Sequence, residues 1–147
     1  MRKIPHLIRR FIEMGVPVTS QVADDEYAST VLAEHELHLW RKMSPYDRRH
    51  SVGVATRFIA AMPQSTRDEH AAALLHDVGK SATSLGRLGR SVATVVPLTR
   101  AMVVYRDHER VGAEMLRAIG AAERVVALVS GTIDDPAARA LRAADDA

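Results

Sequence analysis

Apolar residues recur every three or four positions along most of this chain, and that spacing places them on one side of an α-helix. No stretch alternates apolar and polar residues as a half-buried strand would, and no segment repeats. The fold class predicted is therefore all-α, an irregular multi-helix bundle. The pattern predicts helices over residues 4–12, 24–42, 45–62, 66–77, 91–95, 98–105, 107–119, 121–130 and 136–145.

Several of these helices have recognisable ends. Ser44 stands before a proline and a carboxylate, which is typical of a helix N-cap. Thr66 and Glu69 have the spacing of a capping box, so the next helix is predicted to begin there. Residues 81–89 are rich in glycine and small side chains and are predicted to form a loop with short helical turns. The predicted helix stops are Pro63, Gly79, Gly120 and Gly131.

The first predicted helix, residues 4–12, is amphipathic and basic, and Gly15 and Pro17 end it. Such a helix can lie on a membrane surface, but packing onto its own domain is the commoner outcome. The expected organisation is one helical domain over residues 1–147, with residues 1–20 as an N-terminal helical extension.

Composition limits the cellular locations and the ligand classes expected for the protein. The 147 residues include no cysteine, which excludes disulfides and thiolate metal sites and fits a reducing cytoplasm, the predicted location. Only 4% of the residues are aromatic, which argues against stacking on single-stranded nucleic acid. The most apolar stretch, residues 91–105, is too short to cross a bilayer, so no transmembrane segment is expected. The net charge of +2 weakly favours an anionic ligand.

A histidine and an aspartate close the predicted helix over residues 66–77. That helix is apolar on all sides from Ala71 to Leu75 and ends on His76 and Asp77. An imidazole and a carboxylate next to a core lose free energy unless each finds a partner. A divalent cation provides that partner, because both side chains then become its ligands. The pair is therefore a candidate metal site.

A second histidine, His50, faces inward on its predicted helix. It shares a side of that helix with Tyr46, Val54 and Phe58. An inward histidine can also be a core residue bonded to a carbonyl group, and for His50 alone that alternative stays open.

Helix phase selects Asp145 over its neighbour as a further donor. Asp145 falls on the side of Leu141, whereas Asp146 falls on the side of Arg139 and Arg142 and is expected to pair with them. Without the other candidates, Asp145 would be read as a residue in a frayed helix end.

These residues resemble the signature of the HD superfamily of metal-dependent phosphohydrolases: a histidine, then a His-Asp doublet, then a distant aspartate. His50 is similar to the first element, the string His76-Asp77-Val78-Gly79-Lys80 to the second, and Asp145 to the third. The resemblance covers roughly residue 32 to the end of the chain and is specific for the family rather than for a substrate.

The resemblance implies that His50, His76, Asp77 and Asp145 bind a divalent metal through nitrogen and oxygen. Manganese, iron, cobalt, nickel, magnesium and zinc all accept such ligands, and ligand type alone does not choose among them. The metal would activate a water for attack on phosphorus. Asp77 and Lys80 are the expected catalytic residues, with Lys80 offsetting phosphate charge. Lys80 could instead be a solvated residue after a helix end.

A second metal is a weaker expectation from the same resemblance. His108 lies on the inward side of its predicted helix, and Asp134 stands near the place where binuclear relatives carry a later histidine pair. That pair is absent here. Asp135 is explained as a helix N-cap before Pro136.

The expected partner is a small phosphorylated substrate, a nucleotide in particular. The chain departs from the signatures of cyclic-di-GMP phosphodiesterases, alarmone hydrolases and helical deoxynucleotidases, and these departures narrow the substrate only slightly. His6, His70 and the stretch 34–38 are not predicted to belong to the site. Arg49 is the expected phosphate contact among several arginine candidates, which are Arg49, Arg57, Arg87, Arg90 and Arg106.

Two functions stay open beside catalysis. A regulatory module could keep the metal pocket and sense a nucleotide without turnover. The sequence shows no obvious proton-donating acid, so this alternative stays open. An accessory protein held at a membrane by its first helix is the other. The oligomeric state, a homodimer included, is also open.

Overall fold

The computed structural model describes residues 18–82 and 98–147, and within these ranges it contains helices and no strand. The all-α prediction is confirmed. The predicted helices over residues 4–12 and 91–95 and most of the predicted loop over 81–89 lie outside the described residues. The helices are α1 (Val18–Val31), α2 (Glu34–Arg41), α3 (Pro45–Ala61), α4 (Arg67–Leu75), α5 (Gly79–Ala82), α6 (Leu98–Ala118), α7 (Glu123–Val129) and α8 (Pro136–Asp146).

Helix α4 lies at the centre of the bundle. Its residues Ala71–Leu75 are fully buried, and it packs against α3, α7 and α1. Three consecutive alanines let neighbouring helices approach closely, and the leucines fill the space between them. The end of α4, where His76 and Asp77 follow, is therefore fixed by the core.

Two of the predicted helix starts are confirmed by their caps. Ser44 caps α3 by accepting a hydrogen bond from the Asp47 amide, and Thr66 caps α4 in a capping box with Glu69. Gly120 and Gly131 end α6 and α7 with φ values of 73° and 67°, a region in which glycine carries no steric cost.

The single helix predicted over residues 24–42 is wrong, because the chain forms α1 and α2 with a break at Ala33. Ala33 is extended, with φ −66° and ψ 159°. Its amide donates to the carboxylate of Glu36 at 2.9 Å, and Glu36 is buried and paired with Arg67. The buried carboxylate of Glu36, paired with the distant and more exposed Arg67, thus sets the start of α2.

Gly79 does not act as the predicted helix stop. Helix α4 ends at Leu75, and turn-type hydrogen bonds from Val78 and Lys80 carry the chain into α5, which Gly79 begins. The role of Gly79 is close packing, because a Cβ atom there would lie 1.9 Å from the carbonyl oxygen of His108.

Two smaller predictions are also corrected. The helices predicted over residues 98–105 and 107–119 are one helix, α6. His70, which the sequence leaves without a partner, lies 2.8 Å from the Ser65 hydroxyl and meets Phe58 edge-on.

No helix in the described part of the chain is long and apolar enough to cross a membrane.

Candidate metal centre

Four side chains predicted from the sequence meet where α3, the end of α4 and the last turn of α8 converge. His50 lies on α3, His76 and Asp77 follow α4, and Asp145 lies on α8. His76 and Asp77 are buried, whereas His50 and Asp145 are partly exposed. The centre therefore has a dry inner side and an outer side that solvent can reach.

The distances among these side chains fit a shared cation. One donor atom from each of His50, His76 and Asp77 lies within 4.8 Å of the others. The Asp145 Oδ1 atom is 2.8 Å from Nε2 of His50 and 3.2 Å from Nε2 of His76. Adjacent ligands at about 2.1 Å from one octahedral cation are about 3 Å apart. Two imidazoles and two carboxylates so arranged form a donor set that divalent metals accept.

The second ring nitrogen of His76 fixes which nitrogen faces the centre. Nδ1 lies 2.8 Å from the carbonyl oxygen of Ala73, so Nδ1 must carry the proton that it donates. Nε2 is then the nitrogen directed at Asp145 and at Asp77, whose Oδ2 atom is 3.5 Å away. A histidine held by a backbone carbonyl in this way is typical of metal ligands.

The side chains of the centre shift the pKa values of Asp145 and His76 in opposite directions. Burial raises the pKa of Asp145, but its bonds to His50 and His76 outweigh this and hold the pKa far below its ordinary value. Burial lowers the pKa of His76, yet the bond to Asp145 and the charge of Asp77 raise it overall. Without a metal, His76 therefore retains its proton to a higher pH than a free histidine does.

Tyr46 supports the His50 ring from one turn earlier on α3. The two rings are nearly parallel, at 17°, with centroids 6.3 Å apart. This offset stacking restricts rotation of the imidazole whose Nε2 atom meets Asp145.

The side chain of Lys80 contacts the centre instead of extending into solvent. Its Nζ atom donates to Asp77 Oδ2 at 2.6 Å. Burial lowers the pKa of Lys80, but the nearby charge of Asp77 raises it overall, so the ammonium group stays charged. A fixed cation beside the candidate ligands suits an anionic substrate.

His108 reaches the same carboxylate from α6. Its Nε2 atom is 3.4 Å from Asp77 Oδ1, and the residue is buried, as its inward helix phase predicts. Burial is the main cause that lowers its pKa, and this favours the neutral imidazole that a metal requires.

Asp134 does not join His108. Its exposed carboxylate pairs with Arg142 at 2.6 Å and with Arg139 at 3.2 Å. Helix phase predicts that the same two arginines pair with Asp146. Asp134 takes them because it precedes α8 and can fold back over the first turns of that helix. The structure therefore lends no support to Asp134 as a second-metal ligand.

Two of the arginines predicted to contact phosphate have other partners. Arg49 pairs with the buried carboxylate of Asp24 at 2.7 Å, and Arg57 donates from Nε to the carbonyl oxygen of Ala144 at 2.8 Å. Arg87 and Arg90 lie outside the described residues.

Glu109 is a half-buried acid of α6 whose carboxyl group feels the charges of the centre, and the sequence did not single it out. Burial raises its pKa, and the charges of Asp145 and Asp77 raise it further. A carboxyl group whose pKa is raised by burial and by the charge of an ionised carboxylate, here that of Asp145, is suited to donating a proton. Its position next to His108 in the chain is the signal that could have found it.

Comparisons with known proteins agree with the short motifs. A family model described as HD domain matches residues 47–146, a range that contains all four predicted ligands. No curated protein and no solved structure matches the chain.

Proposed function

Since the chain belongs to the HD superfamily of metal-dependent phosphohydrolases, we propose that it hydrolyses a small phosphate ester, a nucleotide in particular. The observation that carries the proposal is the contact of Asp145 with both imidazoles, because it joins three separated segments of the chain at one point. His50, His76, Asp77 and Asp145 are the proposed ligands. A cytoplasmic location and a homodimer stay predictions.

The residues divide the chemical work as follows. A divalent cation held by these ligands supplies Lewis acidity toward a phosphoryl oxygen and lowers the pKa of a water. Lys80, held by Asp77 at 2.6 Å, offsets negative charge on the substrate. Glu109, whose pKa is raised, is the proposed proton donor to the leaving oxygen. In this proposal water attacks phosphorus directly as the bond to the leaving oxygen breaks, so no residue forms a covalent intermediate.

His108 is a candidate ligand for a second metal ion in this proposal. It is buried, its pKa is lowered and it contacts Asp77, the carboxylate that the first metal would use. Its proposed role is either a ligand of that second ion or a neutral hydrogen-bond donor to Asp77. Metal stoichiometry of the purified protein separates these two roles.

Phosphate release tests the proposed function. The purified protein should be assayed with Mn²⁺, Co²⁺, Ni²⁺, Fe²⁺ and Mg²⁺ over mono-, di- and cyclic nucleotides. Joint replacement of His76 and Asp77 by alanine should abolish turnover, because it removes two ligands. Glu109→Gln should bind metal but turn over at least tenfold more slowly.

His35→Ala is the matched control, because this histidine is exposed on α2 and outside the metal centre. Activity that survives in the variant lacking His76 and Asp77 would refute the mechanism. Metal-dependent nucleotide binding without phosphate release from any substrate would instead support the nucleotide-sensing alternative.

A further inference from the structure

Asp145 needs support because of where it lies. It belongs to the last turn of α8, and the final carbonyl groups of any helix have no partner within the helix. Helix ends of this kind tend to fray. The Oδ1 atom of Asp145 nevertheless meets His50 at 2.8 Å and His76 at 3.2 Å, so something outside α8 must hold this turn.

Arg57 of α3 contacts the backbone immediately before Asp145. Its Nε atom donates to the carbonyl oxygen of Ala144 at 2.8 Å. That carbonyl group belongs to the peptide bond that leads into Asp145. A guanidinium group is also favoured at a helix C-terminus, because it faces the negative end of the helix dipole.

Arg57 and His50 act on the same turn from the same side of α3. They are separated by about two helical turns, which places both on one helix side. The His50 ring holds the side chain of Asp145, and Arg57 holds the peptide group before it. Two contacts from one rigid helix fix the orientation of that turn better than either contact alone.

Gly53 gives Arg57 the space for this contact. A helical side chain leans toward the N-terminus of its helix, so Arg57 extends back over the residue one turn before it. That residue is Gly53, and a Cβ atom there would lie only 3.3 Å from Nη1 of Arg57. The guanidinium group therefore crosses the helix where no side chain stands.

We infer that Arg57 is a positioning residue, which holds the last turn of α8 so that Asp145 can serve as a metal ligand. The inference rests on the proposed function of the centre. The bond uses the Nε donor of Arg57, so we assign this arginine a role at the backbone of α8 that does not depend on phosphate.

Hydrogen exchange in the metal-free protein tests the positioning itself. In Arg57→Met, the amides of the last turn of α8 should exchange about tenfold faster, whereas those of its first turn should not change. Arg57 is exposed, so the variant should fold. Arg117→Met, an exposed arginine of α6, is the matched control. Equal exchange in Arg57→Met and the wild type would overturn the inference.

Metal affinity tests the consequence for the centre. Calorimetry with Mn²⁺ should show binding to Arg57→Met that is about 10- to 100-fold weaker than to the wild type. Arg57→Lys should recover part of this loss, because its ammonium group can still donate to the carbonyl. In a background of Asp145→Asn, the Arg57→Met change should have little further effect.

The outcomes separate the inference from the proposed function. An undiminished loss of affinity in the Asp145→Asn background would mean that Arg57 acts elsewhere, which overturns the inference. A wild type that binds no metal would overturn the proposed function, and the exchange experiment would still decide the role of Arg57.

Discussion

At the scale of single residues, a proton and a metal ion compete for one nitrogen of His76. The Nδ1 atom is engaged with the Ala73 carbonyl, so only Nε2 can face the centre. In the metal-free protein that nitrogen donates to Asp145, and this bond with the charge of Asp77 raises the pKa of His76 despite its burial. Binding a metal must release this proton.

Metal affinity should therefore rise with pH. Because the pKa of His76 is raised, the proton competes up to and beyond the ordinary value of 6.5, and affinity levels off only above the raised value. Asp145 adds no loss in this range, since its pKa is held far below the ordinary value of 3.8. Calorimetry with Mn²⁺ from about pH 6 to about pH 8 should show tighter binding at the higher pH.

Proton release gives an independent check of this prediction. Titrations in two buffers of different ionisation enthalpy should give different apparent heats, because the buffer takes up the displaced proton. Constant affinity over this pH range, with no proton released, would contradict the assignment of His76 as a ligand.

At the scale of elements, the contact between α5 and α6 brings His108 to Asp77. The two helices touch through backbone at Gly79, where a Cβ atom would lie 1.9 Å from the His108 carbonyl oxygen and 2.7 Å from the Gly112 amide nitrogen. Only glycine permits this approach. The same contact places the His108 ring 3.4 Å from Asp77.

Replacing Gly79 by alanine should destabilise the protein by about 1 to 3 kcal/mol, the usual cost of overpacking a buried site. Alanine has a higher helix propensity than glycine, so without a steric clash the replacement would stabilise α5. A decrease in the free energy of unfolding therefore indicates that the added Cβ atom clashes with α6. Gly112→Ala is the matched comparison and should cost less, because its nearest contacts would be 3.2 to 3.3 Å.

Urea denaturation of both variants measures these differences. Equal or greater stability of Gly79→Ala relative to the wild type would show that α5 and α6 do not meet as described.

At the scale of the whole molecule, the centre links parts of the chain that are far apart in sequence. His50, the His76-Asp77 pair and Asp145 come from α3, the segment after α4 and α8. The unfolded chain does not hold these residues together, so a metal that they bind stabilises the folded form selectively.

Metal should raise the melting temperature. A free metal concentration of about 100 times the dissociation constant adds about 2.7 kcal/mol, which corresponds to about 5 to 10 °C for a chain of this size. Differential scanning fluorimetry with Mn²⁺ and with a chelator measures the shift. The variant lacking His76 and Asp77 should show none. An equal shift in that variant would place the bound ion elsewhere.

The sequence by itself determined the features that depend on neighbouring residues. Ser44 and Thr66 cap their helices, and Gly120 and Gly131 end theirs, because these signals act within about one turn. The four proposed ligands could be selected from helix phase and from their resemblance to a short motif. The structure brings these four together, while their role as ligands stays a prediction.

Only the tertiary structure decided which distant residues meet. The break at Ala33 depends on the pairing of Glu36 with Arg67, and the role of Gly79 depends on the approach of α6. Asp134 rather than Asp146 pairs with the two arginines of α8, and Arg57 donates to the carbonyl oxygen of Ala144. Periodicity shows which side of a helix is buried, but not which helix packs against it. Partners, pKa shifts and close backbone contacts all follow from that packing.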